Sequence, residues 1–165
     1  NFTKMVLEIK PTQVTLVPDA VDAITSNAGW DTVNHKNYLK EIISEFKRNG
    51  IRTSIFVDPT LKMIEGAAET GTDRIELYTE EFAKQYSLGN KVAIKPYTEC
   101  AILANKLNLG INAGHDLSLE NIAFFKENIP NLLEVSIGHA LICDALYYGL
   151  ENTIQMYRRQ LEVIQ

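Results

Sequence analysis

Two Gly-His pairs in this sequence have residue types suited to acid–base chemistry. Gly114-His115 and Gly138-His139 each end a short run of β-branched and apolar residues, and the chain of 165 residues has only three histidines. Glycine lets the backbone approach a ligand closely, and histidine titrates near neutral pH. The pattern predicts a site for proton transfer beside a bound anion, with His115 as the leading general acid or base.

The second pair leads directly into a predicted helix. Backbone N–H groups and the helix dipole favour anions at a helix N-terminus, so Gly138 and His139 are candidates for binding phosphate. Few Lys or Arg residues follow the predicted strands, so backbone N–H groups must bind much of any phosphate. His35 opens another helix and is interpreted as a surface residue. The three histidines lack HxH or HExxH spacing, which disfavours a metal site.

Glu76 lies in the predicted strand segment RIELY. Ile75 and Leu77 share one face of that strand, so Glu76 points to the other face, which is the interior if the sheet closes into a barrel. A buried carboxylate is costly unless it is paired or hydrogen-bonded. Two interpretations stay open: a structural ion pair, or a carboxylate that stabilises a cationic intermediate or transfers a proton. Asp58, which precedes Pro59, is predicted to cap a helix.

Five predicted strands position these residues, and a helical pattern follows each of them. The strands cover residues 13–18, 51–58, 73–79, 109–114 and 132–138. Alternating strands and helices predict a parallel sheet, whose ligands bind at the carboxyl ends of the strands. At the opposite ends, Arg52, Asp73 and Asn108 are expected to be ordinary solvated loop residues. Length favours a doubly wound, flavodoxin-like sheet, whereas the placement of polar residues favours part of a (β/α)8 barrel.

Composition narrows the class of protein. A net charge of −5 and a pI near 5.2, with no basic stripe, argue against a nucleic-acid partner. No apolar stretch is long enough to span a membrane and no signal peptide opens the chain, so we expect a soluble, cytoplasmic protein with one domain, residues 1–165. Cys100 and Cys143 are predicted to be small core residues rather than a disulfide.

The segments GINAGHDLSLENI, LLEVSIGHALICDALYYGLENTIQMY, VTLVPDAVDAITSNAGWD, GIRTSIFVDP and TDRIELYTE resemble the pyridoxine 5′-phosphate synthase family, in order and spacing. The resemblance implies a (β/α)8 TIM barrel, of which this chain supplies about the last five βα units and an extra C-terminal helix. It implies condensation of 1-deoxy-D-xylulose 5-phosphate with 3-amino-2-oxopropyl phosphate, giving pyridoxine 5′-phosphate, inorganic phosphate and water. No metal or organic cofactor is implied, and a homo-oligomer is expected.

The resemblance also implies roles for individual residues. His115 matches the family's proton donor, and Glu76 matches a carboxylate proposed to stabilise a transition state. Gly138 and His139 match the pair that holds 3-amino-2-oxopropyl phosphate.

A lid loop is implied as well. Thr25 matches a threonine in this loop that contacts the deoxyxylulose substrate, and closing such a loop excludes water. Asp116 matches a position whose backbone N–H contacts ligand and which is Gly in many members. In the lid loop, residues 25–29 read TSNAG where many members have TTEGG. After the third predicted strand, residues 78–80 read YTE where many members have HTG.

The family's first three βα units, which carry further catalytic residues, find no match in this sequence. We therefore expect that the 165-residue chain alone cannot close the barrel and is inactive. Two other functions stay open: a stand-alone flavodoxin-like binding domain, and another phosphate-binding barrel lyase or isomerase. A Schiff-base lysine at a strand end would favour the latter, but Lys91 and Lys95 lie in or near a predicted helix.

Overall fold

Five short runs of apolar and β-branched residues form parallel strands, and helices connect them. The computed structural model describes residues 2–19 and 23–162. The strands are β1 (Gln13–Leu16), β2 (Arg52–Val57), β3 (Arg74–Tyr78), β4 (Gly110–Gly114) and β5 (Leu132–Ser136). The helices are α1 (Phe2–Ile9), α2 (Lys36–Arg48), α3 (Leu61–Thr70), α4 (Glu80–Ser87), α5 (Lys95–Lys106), α6 (Ile122–Asn128), α7 (His139–Tyr148) and α8 (Leu150–Leu161), with a 3-10 turn at Lys91–Ile94.

The strand order decides between the two predicted architectures. The sheet runs β1-β2-β3-β4-β5, with every neighbouring pair parallel. A flavodoxin-like sheet has the order 2-1-3-4-5, so that alternative is wrong for this chain. When each strand lies beside the preceding one, right-handed crossovers put the connecting helices on the same face of the sheet. This arrangement is that of a barrel wall.

The face of the sheet under the helices is apolar. Side chains alternate between the two faces with a period of two, and the strand residues buried on this face are Val14, Leu16, Ile55, Val57, Ile75, Leu77, Ile111 and Ala113. Leu39, Ile43 and Phe46 of α2 belong to the same core and are almost fully buried. Glu76 lies between Ile75 and Leu77 and points to the opposite face, as predicted.

The opposite face is polar and concave. Gln13 of β1 donates a hydrogen bond from Nε2 to Glu134 Oε2 of β5 at 3.0 Å. In a flat sheet these two strands would lie about 19 Å apart, so the sheet must be strongly curved. Glu134 also pairs with Arg74 at 2.7 Å and with Arg52 at 3.2 Å, and it accepts a hydrogen bond from Asn112. This polar network joins all five strands on the concave face.

Two residues expected in solvated loops have structural contacts instead. Arg52 donates from Nε to Gln13 at 2.8 Å, because curvature turns it toward the other concave side chains. Asp73 accepts hydrogen bonds from the backbone and hydroxyl of Thr53 and forms an ion pair with Lys47 at 2.7 Å. Asn108 is exposed, as predicted.

The two cysteines differ in burial. Both are free thiols, but only Cys100 is buried, so the prediction of a core position is wrong for Cys143. Cys143 lies on α7, none of whose residues is buried. No helix in the described part of the chain is long and apolar enough to cross a membrane.

Candidate active site

His115 lies directly after β4, with its imidazole between two polar groups. Nε2 is 3.0 Å from the hydroxyl of Thr25, and Nδ1 is 3.1 Å from Asp116 Oδ2. The aromatic ring of Tyr78 meets the imidazole edge-on, with 4.9 Å between ring centroids and 86° between planes. The imidazole is 17% exposed, so it is shielded but open on one side. A partly shielded imidazole of this kind can exchange a proton with a bound ligand.

The backbone that carries this histidine is strained. His115 has φ +85° and Asp116 has φ +60°, in the left-handed region that residues with a side chain seldom adopt. Two consecutive positions of this kind persist only when surrounding groups hold them, and such positions cluster at functional sites.

One cavity of about 380 Å³ brings together most of the predicted site residues. It is lined by Thr25, His115, Asp116, Leu117, Ser136, Ile137, Gly138, His139 and Ala140. Gly138 is the N-cap residue of α7, and the helix begins at His139. The first N–H groups of an α-helix lack partners within the helix, so this end of the cavity can bind an anion. A larger cavity of about 480 Å³ lies between α1, β1 and α2, away from the two Gly-His pairs.

Glu76 lies beneath this cavity rather than in its lining. The residue is buried, with 8% of its surface exposed. Its carboxylate accepts a hydrogen bond from Thr15 at 3.2 Å and has a second hydrogen bond with Ser136, which does line the cavity. Burial raises the pKa of Glu76 above its ordinary value; the two hydrogen bonds oppose this rise, and the charge of Glu134 adds to it. A carboxylate so placed responds strongly to any positive charge that develops above it.

Gly114 makes room for that carboxylate. A Cβ atom at position 114 would lie 2.4 Å from Glu76 Oε1 and 3.1 Å from Ser136 Cβ. Only glycine permits this approach without displacement, which gives a physical reason for the first Gly-His pair.

The loop that carries Thr25 is fastened to the sheet at its far end. Gly29 donates its N–H to Asp58 Oδ2 at 3.3 Å, and Trp30 donates to the carbonyl of Phe56 at 2.8 Å. The prediction that Asp58 caps α3 is wrong, because the N-cap residue is Thr60 and the Asp58 carboxylate turns toward the loop. Residues 20–22 of this loop lie outside the described residues.

Tyr78 and Glu80 join the site without having been predicted as site residues. The Tyr78 hydroxyl donates a hydrogen bond to Glu80 Oε2 and lies 3.4 Å from the carbonyl of Ser26. Burial, together with Glu80, raises the pKa of Tyr78 well above its ordinary range, so the hydroxyl stays protonated. The period of two, which puts Tyr78 on the same face as Glu76, is the sequence signal that identifies it.

The imidazole and two neighbouring carboxylates have the donor atoms of a cation site. Ligand atoms of Glu80, His115 and Asp116 lie within 4.8 Å of one another. Tyr78 already donates to Glu80, and Asp116 already contacts His115. The Asp116 contact is a close approach without hydrogen-bond geometry, so Nδ1 is a buried nitrogen with no hydrogen-bond partner among the described residues. Glu80 and Asp116 already have protein contacts, and we assign no metal to the cluster.

Comparisons with known proteins identify the family. The family described as "Pyridoxal phosphate biosynthesis protein PdxJ" matches residues 1–163. Proteins named pyridoxine 5′-phosphate synthase are 71% identical in Flavobacterium johnsoniae, 70% in Christiangramia forsetii and 64% in Cytophaga hutchinsonii. Each of these alignments covers 98% of this chain and 68% of the relative.

Proposed function

Because the chain belongs to the PdxJ family of pyridoxal phosphate biosynthesis proteins, we propose that it acts as a pyridoxine 5′-phosphate synthase. The reaction condenses 1-deoxy-D-xylulose 5-phosphate with 3-amino-2-oxopropyl phosphate and closes the pyridine ring. The observation that carries the proposal is the single cavity shared by His115 and the start of α7. A proton-transferring group for the condensation and an anion site for a substrate phosphate thus face the same space.

We propose that the five-stranded sheet is part of an eight-stranded barrel in one domain. The polar concave face supports this, because a barrel interior needs side chains that satisfy one another without a second helical layer. The strand order leaves β1 and β5 as the two edges of the sheet, and unpaired edges are closed in a barrel. Turnover by residues 1–165 alone, at the rate of the protein isolated from its source, would overturn this proposal.

Gly138 and His139 would bind the phosphate of 3-amino-2-oxopropyl phosphate. The N-terminus of α7 supplies N–H donors and a favourable dipole, and Gly138 leaves open space where a Cβ would stand. His139 is exposed at the same helix end, where its ring nitrogens can add a hydrogen bond to a phosphate oxygen.

His115 would donate protons during the condensation. Joining an amine to a ketone expels oxygen as water, and the leaving oxygen needs a proton. Thr25, now hydrogen-bonded to Nε2, would instead contact the deoxyxylulose substrate once it is bound. Asp116 would contribute its backbone N–H to the ligand, and its carboxylate lies beside Nδ1 of His115.

Glu76 would stabilise positive charge on the nitrogen that forms the ring. Its carboxylate lies below the cavity and is bonded to Thr15 and Ser136, so it needs no reorientation when charge develops. Among the residues that line the described cavity there is no lysine, which disfavours a Schiff-base aldolase as the alternative.

A homo-oligomer is proposed from the surface of α7. Large apolar side chains there are more than half exposed: Ile142, Leu146, Tyr147 and Tyr148, followed by Leu150 at the start of α8. Apolar patches of this kind mark contact surfaces. Light scattering should show an oligomer that Leu146→Lys dissociates; a monomer at all concentrations would contradict the proposal.

The test of function uses the protein isolated from its source. With both substrates it should form pyridoxine 5′-phosphate and inorganic phosphate in equal amounts, measured by mass spectrometry and a phosphate assay. Omitting either substrate is the control and should abolish both products. A folded protein that forms no pyridoxine 5′-phosphate from millimolar substrates would overturn the proposed function.

A further inference from the structure

Two adjacent residues at the end of β3, Tyr78 and Thr79, hold His115 from two directions. Thr79 is fully buried, and its backbone N–H donates to the carbonyl of Gly114 at 3.0 Å. Its hydroxyl lies 2.8 Å from the same carbonyl and also hydrogen-bonds to the carbonyl of His115. The single hydroxyl hydrogen therefore lies between two acceptors, the carbonyls of Gly114 and His115.

The turn that needs this support is the strained one. His115 and Asp116 both have positive φ, and such a conformation costs free energy in a residue with a side chain. Without a fixed partner for its carbonyl, His115 could relax to an ordinary φ, which would move the imidazole out of the cavity. The Thr79 hydroxyl is a buried donor placed at this carbonyl.

Tyr78 acts on the ring rather than the backbone. Its ring lies edge-on to the imidazole, with 4.9 Å between centroids, and it also packs against the ring of Phe56, with 5.1 Å between centroids. The hydroxyl is tied to Glu80, so neither end of the Tyr78 side chain is free to swing. The Tyr78 ring therefore restricts rotation of the imidazole on this side.

We propose that Tyr78 and Thr79 are positioning residues for His115. Thr79 fixes the backbone turn, and Tyr78 fixes the plane of the imidazole, so that Nε2 faces the cavity. The proposal rests on the proposed function only for what His115 then does, which is to transfer a proton. Neither residue touches the substrate in this scheme.

The first test compares two buried threonines at opposite ends of β3. Thr79→Val keeps the volume but removes the hydroxyl, and it should lower kcat at least tenfold while changing either KM less than twofold. Thr79→Ser should restore most of kcat. The matched control is Thr72→Val, which removes a buried hydroxyl bonded to the carbonyls of Thr53 and Arg74. It should lower the melting temperature similarly and leave kcat unchanged.

A second measurement does not depend on turnover. Long-range ¹⁵N–¹H NMR spectra report which nitrogen of His115 carries a proton and how rigidly the ring is held. Thr79→Val and Tyr78→Leu should shift and broaden the His115 signals, whereas Tyr78→Phe, which keeps the ring, should change them less. Unchanged signals in Thr79→Val and Tyr78→Leu would overturn the proposal.

The turnover and NMR measurements together distinguish failure of the proposed function from failure of the positioning role. A wild-type protein without turnover defeats the proposed function, while the NMR spectra still decide whether Tyr78 and Thr79 position His115. Equal loss of kcat in Thr79→Val and Thr72→Val, with active wild type, defeats the positioning role alone, because the effect would then follow from stability.

Discussion

Replacing Gly114 by alanine tests the close approach between β4 and the Glu76 carboxylate. The new Cβ would lie 2.4 Å from Glu76 Oε1, whereas real Cβ atoms essentially never come within 3.0 Å of another heavy atom, so the carboxylate must retreat by about 0.6 Å or more. Retreat breaks or stretches the hydrogen bonds with Thr15 and Ser136. The backbone of Gly114 has no positive φ, so the alanine itself fits its dihedral angles.

The magnitude follows from these contacts. Overpacking a core costs about 1–3 kcal/mol, and the weakened hydrogen bonds to Glu76 cost about 1 kcal/mol each. Alanine also lowers the conformational entropy of the unfolded chain, which offsets this loss of stability by about 0.4–1 kcal/mol. We therefore expect Gly114→Ala to lower the free energy of unfolding by about 2–5 kcal/mol and to abolish most turnover, since Glu76 is displaced.

The assay is urea unfolding of a double-mutant cycle. Glu76→Ala removes the atom that the new methyl group meets, so Gly114→Ala should cost little in that background. The coupling should therefore be nearly the whole cost in the wild type, about 2–5 kcal/mol. Gly66→Ala is the matched control. Gly66 lies within α3, away from the cavity, and a Cβ atom there would come equally close to an oxygen atom, 2.4 Å from Thr32 Oγ1. Gly66→Ala should lower the free energy of unfolding by the same amount in the wild type and in Glu76→Ala. Additive effects of Gly114→Ala and Glu76→Ala, within 0.5 kcal/mol, would refute the steric reasoning.

Four further results are expected. His115→Ala should lower kcat about 100-fold or more with little effect on KM, whereas His139→Ala should mainly raise the KM for 3-amino-2-oxopropyl phosphate; equal effects on binding alone would contradict this division. The folded-state pKa of Glu76 is raised above 4.5, so stability should be lost as pH rises from 4.5 through the folded-state pKa. The melting temperature of Glu76→Gln should not show this loss, and the same pH dependence of melting temperature in both proteins would refute the prediction. Glu134→Gln should cost about 1–2 kcal/mol in urea unfolding, less than a fully buried pair because Glu134 is 41% exposed; no change would mean that the network does not support the curvature. Asp58→Ala should speed proteolysis between residues 23 and 29, because Gly29 loses its acceptor; unchanged cleavage would argue against this anchor.

Local sequence patterns predicted the strands and the outward or inward direction of their side chains. Ile75 and Leu77 pack under the helices while Glu76 faces the concave side, because a period of two is a property of the single strand. The two Gly-His pairs were likewise placed at strand ends, and parallel strands bring such ends to one edge of the sheet. These inferences need only short stretches of chain.

Predictions that depended on distant neighbours were less successful. Asp58 was interpreted as a cap because its own sequence neighbours suit one, but its acceptor is used by Gly29 of another loop. Arg52 looked like a surface residue, yet it pairs with Glu134, 82 residues away. Tyr78 and Thr79 were placed at the end of a strand but given no role, because their partners Gly114 and His115 lie at the end of the next strand.

The sequence by itself thus determined which segments are strands, which faces are apolar and which residues follow the strand ends, since periodicity and turn chemistry act over a few residues. Only the tertiary structure decided the strand order and the curvature of the sheet, because both arise from packing between elements far apart in the chain. Curvature brings Gln13 to Glu134, and the alignment of β3 with β4 brings Thr79 to the His115 turn. The residues that could do chemistry were therefore predicted from the sequence, whereas the residues that hold them in place were identified only from the tertiary structure.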